Sequence, residues 1–233
     1  MMKKIIKVIT VVGAFTASSA QAIPLQLDVT QLDWYNPVSG SNIVYSGNDS
    51  IAGNEVISWG VPVKEKQSGY ELEVYNSTFD VISDQSFLLG DFTHHNYVMK
   101  RGTSIYEASL KMGVAVSTPT LNDSIDLSFL FDHTETTNNC TSSPTCSNDR
   151  IKVVSNATNQ FSFNNTLYEF EILGFITNGV LSDIFSTVEN QSSVASLVGR
   201  VNTVSVSEPS SFGIFSLGFA ALLFTRRKSL KWG

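Results

Sequence analysis

The sequence predicts an all-β protein: one antiparallel β-sandwich or jelly-roll-like domain over residues 23–205, flanked by an N-terminal signal peptide and a short hydrophobic C-terminal helix. Three observations carry that expectation. Apolar residues alternate with polar ones at period two, the pattern of strands with one buried face. Groups of Gly, Asn, Asp and Ser punctuate the chain at short intervals. Nothing alternates strand with helix in the way a parallel sheet requires.

Residues 1–22 have the layout of a secretory signal peptide. Lys3, Lys4 and Lys7 form a positive start, Val8–Ala17 an apolar stretch, and Ala20 and Ala22 the A-x-A cleavage pattern. Cleavage is expected after Ala22. Between Ile23 and Glu208 stand 8 basic and 21 acidic residues, a net charge of −13 against −6 for the whole chain. So acidic a body excludes nucleic acid and anionic membrane surfaces as expected partners, because both attract positive charge. Its length supports one substantial core. At 42% hydrophobic the chain is too apolar to be disordered.

The clearest strands lie in the second half of the body. Leu110, Met112, Val114 and Val116 share one face, as do Ile125, Leu127, Phe129 and Phe131. Phe161 and Phe163 repeat the pattern, and Tyr168, Phe170 and Ile172 stand opposite Glu169 and Glu171. Weaker candidates are Ile43–Tyr45, Glu55–Trp59, Tyr70–Tyr75, Ser86–Phe92, Ile151–Val154 and Val201–Val206. Turn groups at Ser46–Ser50, Lys66–Gly69, Thr120–Asp123 and Ser155–Asn159 separate them, giving about ten strands. Only Val180–Val188 hints at a helix, through Leu181, Ile184, Phe185 and Val188.

Few residues carry chemistry. Cys140 and Cys146 are the only cysteines, and an exported chain with one close pair points to a disulfide that stiffens a surface loop. Closing so small a loop contributes about 2 kcal/mol. Zinc would want further ligands, and no histidine lies within six residues of either cysteine. His94 and His95 are neighbours and face opposite sides of a strand. His133 can join one of them, with Asp132 or Glu135, in a mononuclear metal site. The plainer reading is that Thr93, His94 and Asn96 hydrogen-bond a strand end and its turn. Glu169 and Glu171 have the spacing of an acid/base pair and equally that of a solvated strand face. Asn48-Asp49 and Asn122-Asp123 lack any calcium-loop spacing. No nucleophile elbow, P-loop or dinucleotide fingerprint occurs, so no catalytic residue, cofactor or metal is assigned.

The tail Val206–Lys231 combines a Glu-Pro element, an uncharged run over residues 212–225 and a basic end over 226–231. As a helix the run would reach about 21 Å, short of a hydrocarbon core of about 30 Å. Arg226, Arg227, Lys228 and Lys231 would hold its end on the cytoplasmic side. This order resembles the PEP-CTERM sorting signal, with matches at Val206, Glu208 and Pro209 and with Ser207 where the family has its first proline. The segment Gly90-x-Phe92-Thr93-His94-x-Asn96 resembles the THxN family of PEP-CTERM proteins. Further matches are Trp59-Gly60, Ser68-Gly69, Gly102-Thr103-Ser104-Ile105, Glu135-Thr136-x-Asn138, the cysteine pair, Gly174-Phe175 and Thr187-x-Glu189. Thr137 stands where the family has proline.

The resemblance implies export across the inner membrane of a Gram-negative bacterium to the cell surface or beyond. It further implies processing by signal peptidase and an exosortase-type enzyme, with transient membrane association through the C-terminal helix. The leading expectation is a non-enzymatic structural or adhesive protein of the exopolysaccharide or biofilm matrix. One alternative is a carbohydrate-binding β-sandwich that stacks sugar on Trp34, Trp59 or Tyr35. A second is a metal-dependent or carboxylate hydrolase.

Overall fold

The computed structural model describes residues 25–47, 54–75, 78–82, 84–137, 142, 145–154, 159–164 and 166–204. The signal-peptide residues Ala20 and Ala22 lie outside the described residues, as does the Asn48-Asp49 loop. So do Cys140 and the tail residues Val206, Glu208, Pro209, Arg226, Arg227 and Lys228. Cys146 is disulfide-bonded.

The regular structure among the described residues is all β, in two antiparallel sheets. The first runs, in spatial order, β13 (Ile184–Thr187), β9 (Asp149–Val154), β8 (Asn122–Thr134), β7 (Ile105–Ser117), β1 (Leu25–Ser39) and β5 (Thr78–Val81). The second runs β10 (Gln160–Phe163), β11 (Thr166–Thr177), β14 (Gln191–Val204), β6 (Ser86–Asn96), β4 (Ser68–Val74), β3 (Asn54–Trp59) and β2 (Val44–Gly47). The short strand β12 (Val180–Ser182) also pairs with β11.

Alternation places one face of each long strand inward. Leu110, Met112, Val114 and Val116 of β7 are buried, as are Leu127, Phe129 and Phe131 of β8 and Tyr168, Phe170 and Ile172 of β11. Inner faces of the two sheets meet directly, as in a β-sandwich. Phe92 of β6 stacks on Phe131 of β8 with ring centroids 5.4 Å apart, and Trp34 of β1 meets both rings edge-on.

The helix expected over Val180–Val188 does not form. Its apolar spacing is produced by two strands, β12 and β13, that place most of their apolar side chains outward. Val180, Leu181, Ile184 and Val188 are exposed, and only Phe185 enters the core. The turn before it is Asn178-Gly179, with φ of 52° and 78°, which favours a tight hairpin over a helix. The chain also contains a 15-residue strand, β1, that alternation alone does not reveal. Its pairing with β7 skips Thr30, so the inward set changes from Leu25, Leu27 and Val29 to Leu32 and Trp34. Leu89 of β6 is skipped in the same way, between the pairs that its neighbours make with Leu197 and Val198 of β14; β14 begins at Gln191 and absorbs the shorter strand expected from Val201.

Gly90 marks where β6 comes closest to its neighbour. It pairs with Val74 on one side and with Leu197 on the other, beside the skipped Leu89. A Cβ there would lie 2.8 Å from the Val74 Cα and would also collide with the Glu73 carbonyl. Backbone cannot rotate away as a side-chain tip can. Gly90→Ala is therefore expected to cost about 1–3 kcal/mol in urea unfolding. A variant as stable as the parent would show that β4 and β6 can separate freely at this point.

Candidate functional site

One end of the sandwich is filled by polar side chains where the strand pattern calls for apolar ones. On β6 the inward phase runs Phe92, His94, Asn96, and all three are fully buried. On β8 it runs Phe129, Phe131, His133. Asp149 takes the inward phase of Ile151 on β9, and Thr187 that of Phe185 on β13. Pairing sets Thr187 opposite Asp149, and Tyr70 of β4 opposite His94. The cluster thus joins strands of both sheets.

Burial away from solvent makes these groups seek partners among themselves. His94 Nδ1 and the Thr187 hydroxyl are hydrogen-bonded at 2.6 Å, and the Asn96 amide donates to the Thr187 carbonyl at 3.2 Å. His133 Nδ1 bonds the Tyr70 hydroxyl at 2.7 Å, and its Nε2 lies 3.3 Å from Glu135 Oε2. Asp149 Oδ1 accepts both the Thr136 amide, at 2.8 Å, and the Thr136 hydroxyl, at 3.1 Å. Asp149 Oδ2 lies 3.8 Å from His133 Nε2, within ion-pair range and beyond hydrogen-bond range. Trp59 closes the cluster, its ring nearly parallel to His94 at 6.2 Å and edge-on to Tyr70 at 4.7 Å.

Three polar atoms stay unsatisfied here, His94 Nε2, Asn96 Oδ1 and Asp149 Oδ2. The electrostatics follow from burial. Desolvation, followed by the neighbouring His133 and His95, holds His94 well below the usual histidine value, so its imidazole is neutral. Burial pushes the Asp149 carboxyl up to about 7, and the Glu135 charge adds to the rise. The Thr136 hydrogen bonds and His133 oppose it. Burial and the nearby acids Asp149, Glu135 and Asp132 keep the Tyr70 phenol protonated. One donor atom from each of His94, His133 and Asp149 falls within 4.8 Å of the others, a set able to hold a metal ion.

The residues singled out in the sequence divide sharply. His94 and Asn96 enter the cluster together, with His133 and Glu135 across from them. Thr93 stands on the opposite face of β6, paired with Glu71 and Val194, and does not join them. His95 also faces outward, where it bonds Ser192 and Glu71. Asp132 is out of phase with His133 and half-buried. Glu171 is engaged by Arg200 and Asn202, so with Glu169 it forms part of a cross-strand polar face. Trp34 and Trp59 are core residues whose indole N–H groups donate to the Glu55 carbonyl and the Ser104 hydroxyl. Neither can stack on sugar. Tyr35 is half-buried and hydrogen-bonded to Ser128. A cleft of about 500 Å³ is lined by residues that include Tyr97, Lys64 and Lys66, but the Lys66 ammonium already covers the Tyr97 ring at 5.3 Å.

Asp149 and Tyr70 are members that no motif announces, whereas Thr187 belongs to the Thr187-x-Glu189 element. No protein-family model matches the chain, and no curated protein shows significant similarity to it.

Proposed function

We propose that the chain is an exported protein of the cell surface or extracellular matrix with a structural or adhesive role. Signal peptidase would cleave after Ala22, and an exosortase-type enzyme would read the short C-terminal helix of the tail. The observation that carries this reading is the order of the tail: Glu208-Pro209, an uncharged span over residues 212–225, then Arg226-Arg227-Lys228. Three features of the body agree with it. The body is acidic, its sandwich core binds His94 and Asn96 inward, and those two residues tie β6 to β13 across the sheets. Exopolysaccharide is the partner suggested by the sorting signal, and nucleic acid is disfavoured by the body's charge.

The test is the mass of the protein recovered from its host. A mature chain beginning at Ile23 and lacking the basic residues from Arg226 onward is the expected result. Recovery of the intact tail in the inner membrane would overturn the sorting role.

A further inference from the structure

We propose that His94, His133 and Asp149, completed by Glu135, form a divalent metal site of the zinc class that clamps the two sheets together. This goes beyond export and does not rest on it. The first ground is two of the three unsatisfied atoms of the cluster. His94 Nε2 and Asp149 Oδ2 are buried without a hydrogen-bond partner, a costly state that one shared cation relieves at both atoms at once.

The second ground is the way the remaining polar atoms are used. Each imidazole has its Nδ1 engaged by a hydroxyl, Thr187 for His94 and Tyr70 for His133. Either hydroxyl can accept from an Nδ1–H, which leaves both Nε2 lone pairs for a metal. Asp149 likewise has Oδ1 held by Thr136 and Oδ2 left over. Fixing the far side of each ligand so that its near side can coordinate is the usual support of a zinc site.

Separations fit with modest closure. Ligand atoms around a tetrahedral zinc, with bonds of about 2.0–2.2 Å, stand roughly 3.3–3.6 Å apart. His133 Nε2 is 3.3 Å from Glu135 Oε2 and 3.8 Å from Asp149 Oδ2. The three buried donors all lie within 4.8 Å, so the widest separation would close by about 1 Å. Two imidazoles with carboxylates suit zinc and its transition-metal neighbours better than calcium or magnesium, which favour oxygen alone. The three buried ligands, with Glu135 beside His133 to complete them and Trp59 packed against both imidazoles, would make a closed structural centre. His94 comes from one sheet, and His133 and Asp149 from the other, so the ion would act as a staple between them.

The experiment uses the full-length chain stripped with a chelator, its fold checked by near-ultraviolet circular dichroism. Titration with cobalt(II) is expected to give the visible absorption bands of tetrahedral coordination, saturating at one equivalent and displaced by zinc. Asp149→Asn keeps the acceptor for Thr136, and Glu135→Gln keeps the side chain's size while removing its charge. Each is expected to weaken cobalt binding about 10–100-fold while the fold persists. His95→Ala, facing outward, is expected to bind as the parent does. The proposal is overturned if the folded parent gives no such bands and no heat with zinc. It is also overturned if both ligand variants bind like the parent, or if His95→Ala loses binding equally.

Discussion

Replacing Trp59 with alanine is expected to destabilise the β-domain by about 3–5 kcal/mol, the range for emptying a buried aromatic site. Trp59 ends β3 with no exposed surface. Its ring meets Tyr70 edge-on at 4.7 Å, His133 edge-on at 5.4 Å and His94 nearly face-to-face at 6.2 Å. Truncation would remove three ring contacts, leave the Ser104 hydroxyl without its indole donor, and open a void beside two histidines. Such a void admits water to the polar cluster, which would soften the penalty without cancelling it. Trp59→Phe should lie between alanine and the parent, because it keeps an aromatic ring against Tyr70 and loses the bond to Ser104. Equilibrium unfolding in urea measures the effect. A surface stacking residue would change stability by less than about 0.5 kcal/mol. A cost that small would return Trp59 to the solvent and revive it as a sugar platform.

That contrast shows what the sequence made legible. Strong alternation identified the inward faces of β7, β8 and β11 because those strands hold one phase over the stretch that was read. β1 is hard to read because the unpaired Thr30 reverses its phase, so a period-two count sees two short fragments. β14 keeps one phase through Ala195, Leu197, Gly199 and Val201, but its alanine and glycine give a weak apolar signal. Val180–Val188 misled because outward apolar residues on two short strands fell at helical spacing. The candidate site was legible in principle by the same rule that found the core. His94 continues the phase of Phe92, His133 that of Phe131, Asp149 that of Ile151 and Thr187 that of Phe185. Four polar residues in apolar phase on four strands signal a buried polar cluster. What the sequence could not supply was their meeting point. That depends on pairing β6 with β4, and β9 with both β8 and β13, contacts between residues far apart in the chain. The motif Thr93-His94-x-Asn96 also conceals a division by face, since only alternate residues of a strand can share an environment.

With metal removed, Asp149→Asn is expected to become progressively more stable than the parent as pH rises. The Asp149 carboxyl sits at about 7 in the fold, against 3.8 for an unperturbed group. Burial is the main cause, Glu135 contributes, and the hydrogen bonds from Thr136 and the nearby His133 oppose it. A carboxyl raised in this way holds its proton more tightly folded than unfolded. Its stability contribution is fully present below the unfolded value and is lost as pH rises through the folded one. Over the full window that loss corresponds to about 4 kcal/mol, and between about pH 5 and pH 8 to roughly 2–3 kcal/mol. Asparagine has no proton to lose and keeps an oxygen for the Thr136 amide and hydroxyl. His94 works in the other direction, since its lowered value makes its contribution fade as pH falls. It is present in both proteins and so drops out of their difference to first order. Thermal unfolding of the two stripped proteins across this range reads the effect as a gap of several degrees that opens toward high pH. A gap that does not change with pH would mean that Asp149 is already ionised in the fold at pH 5. Adding zinc should then reverse the ranking. The cation stabilises the ionised carboxylate of the parent by mass action and finds a poorer ligand in the variant. The same buried charge that weakens the stripped protein near neutral pH is what would make the occupied site strong.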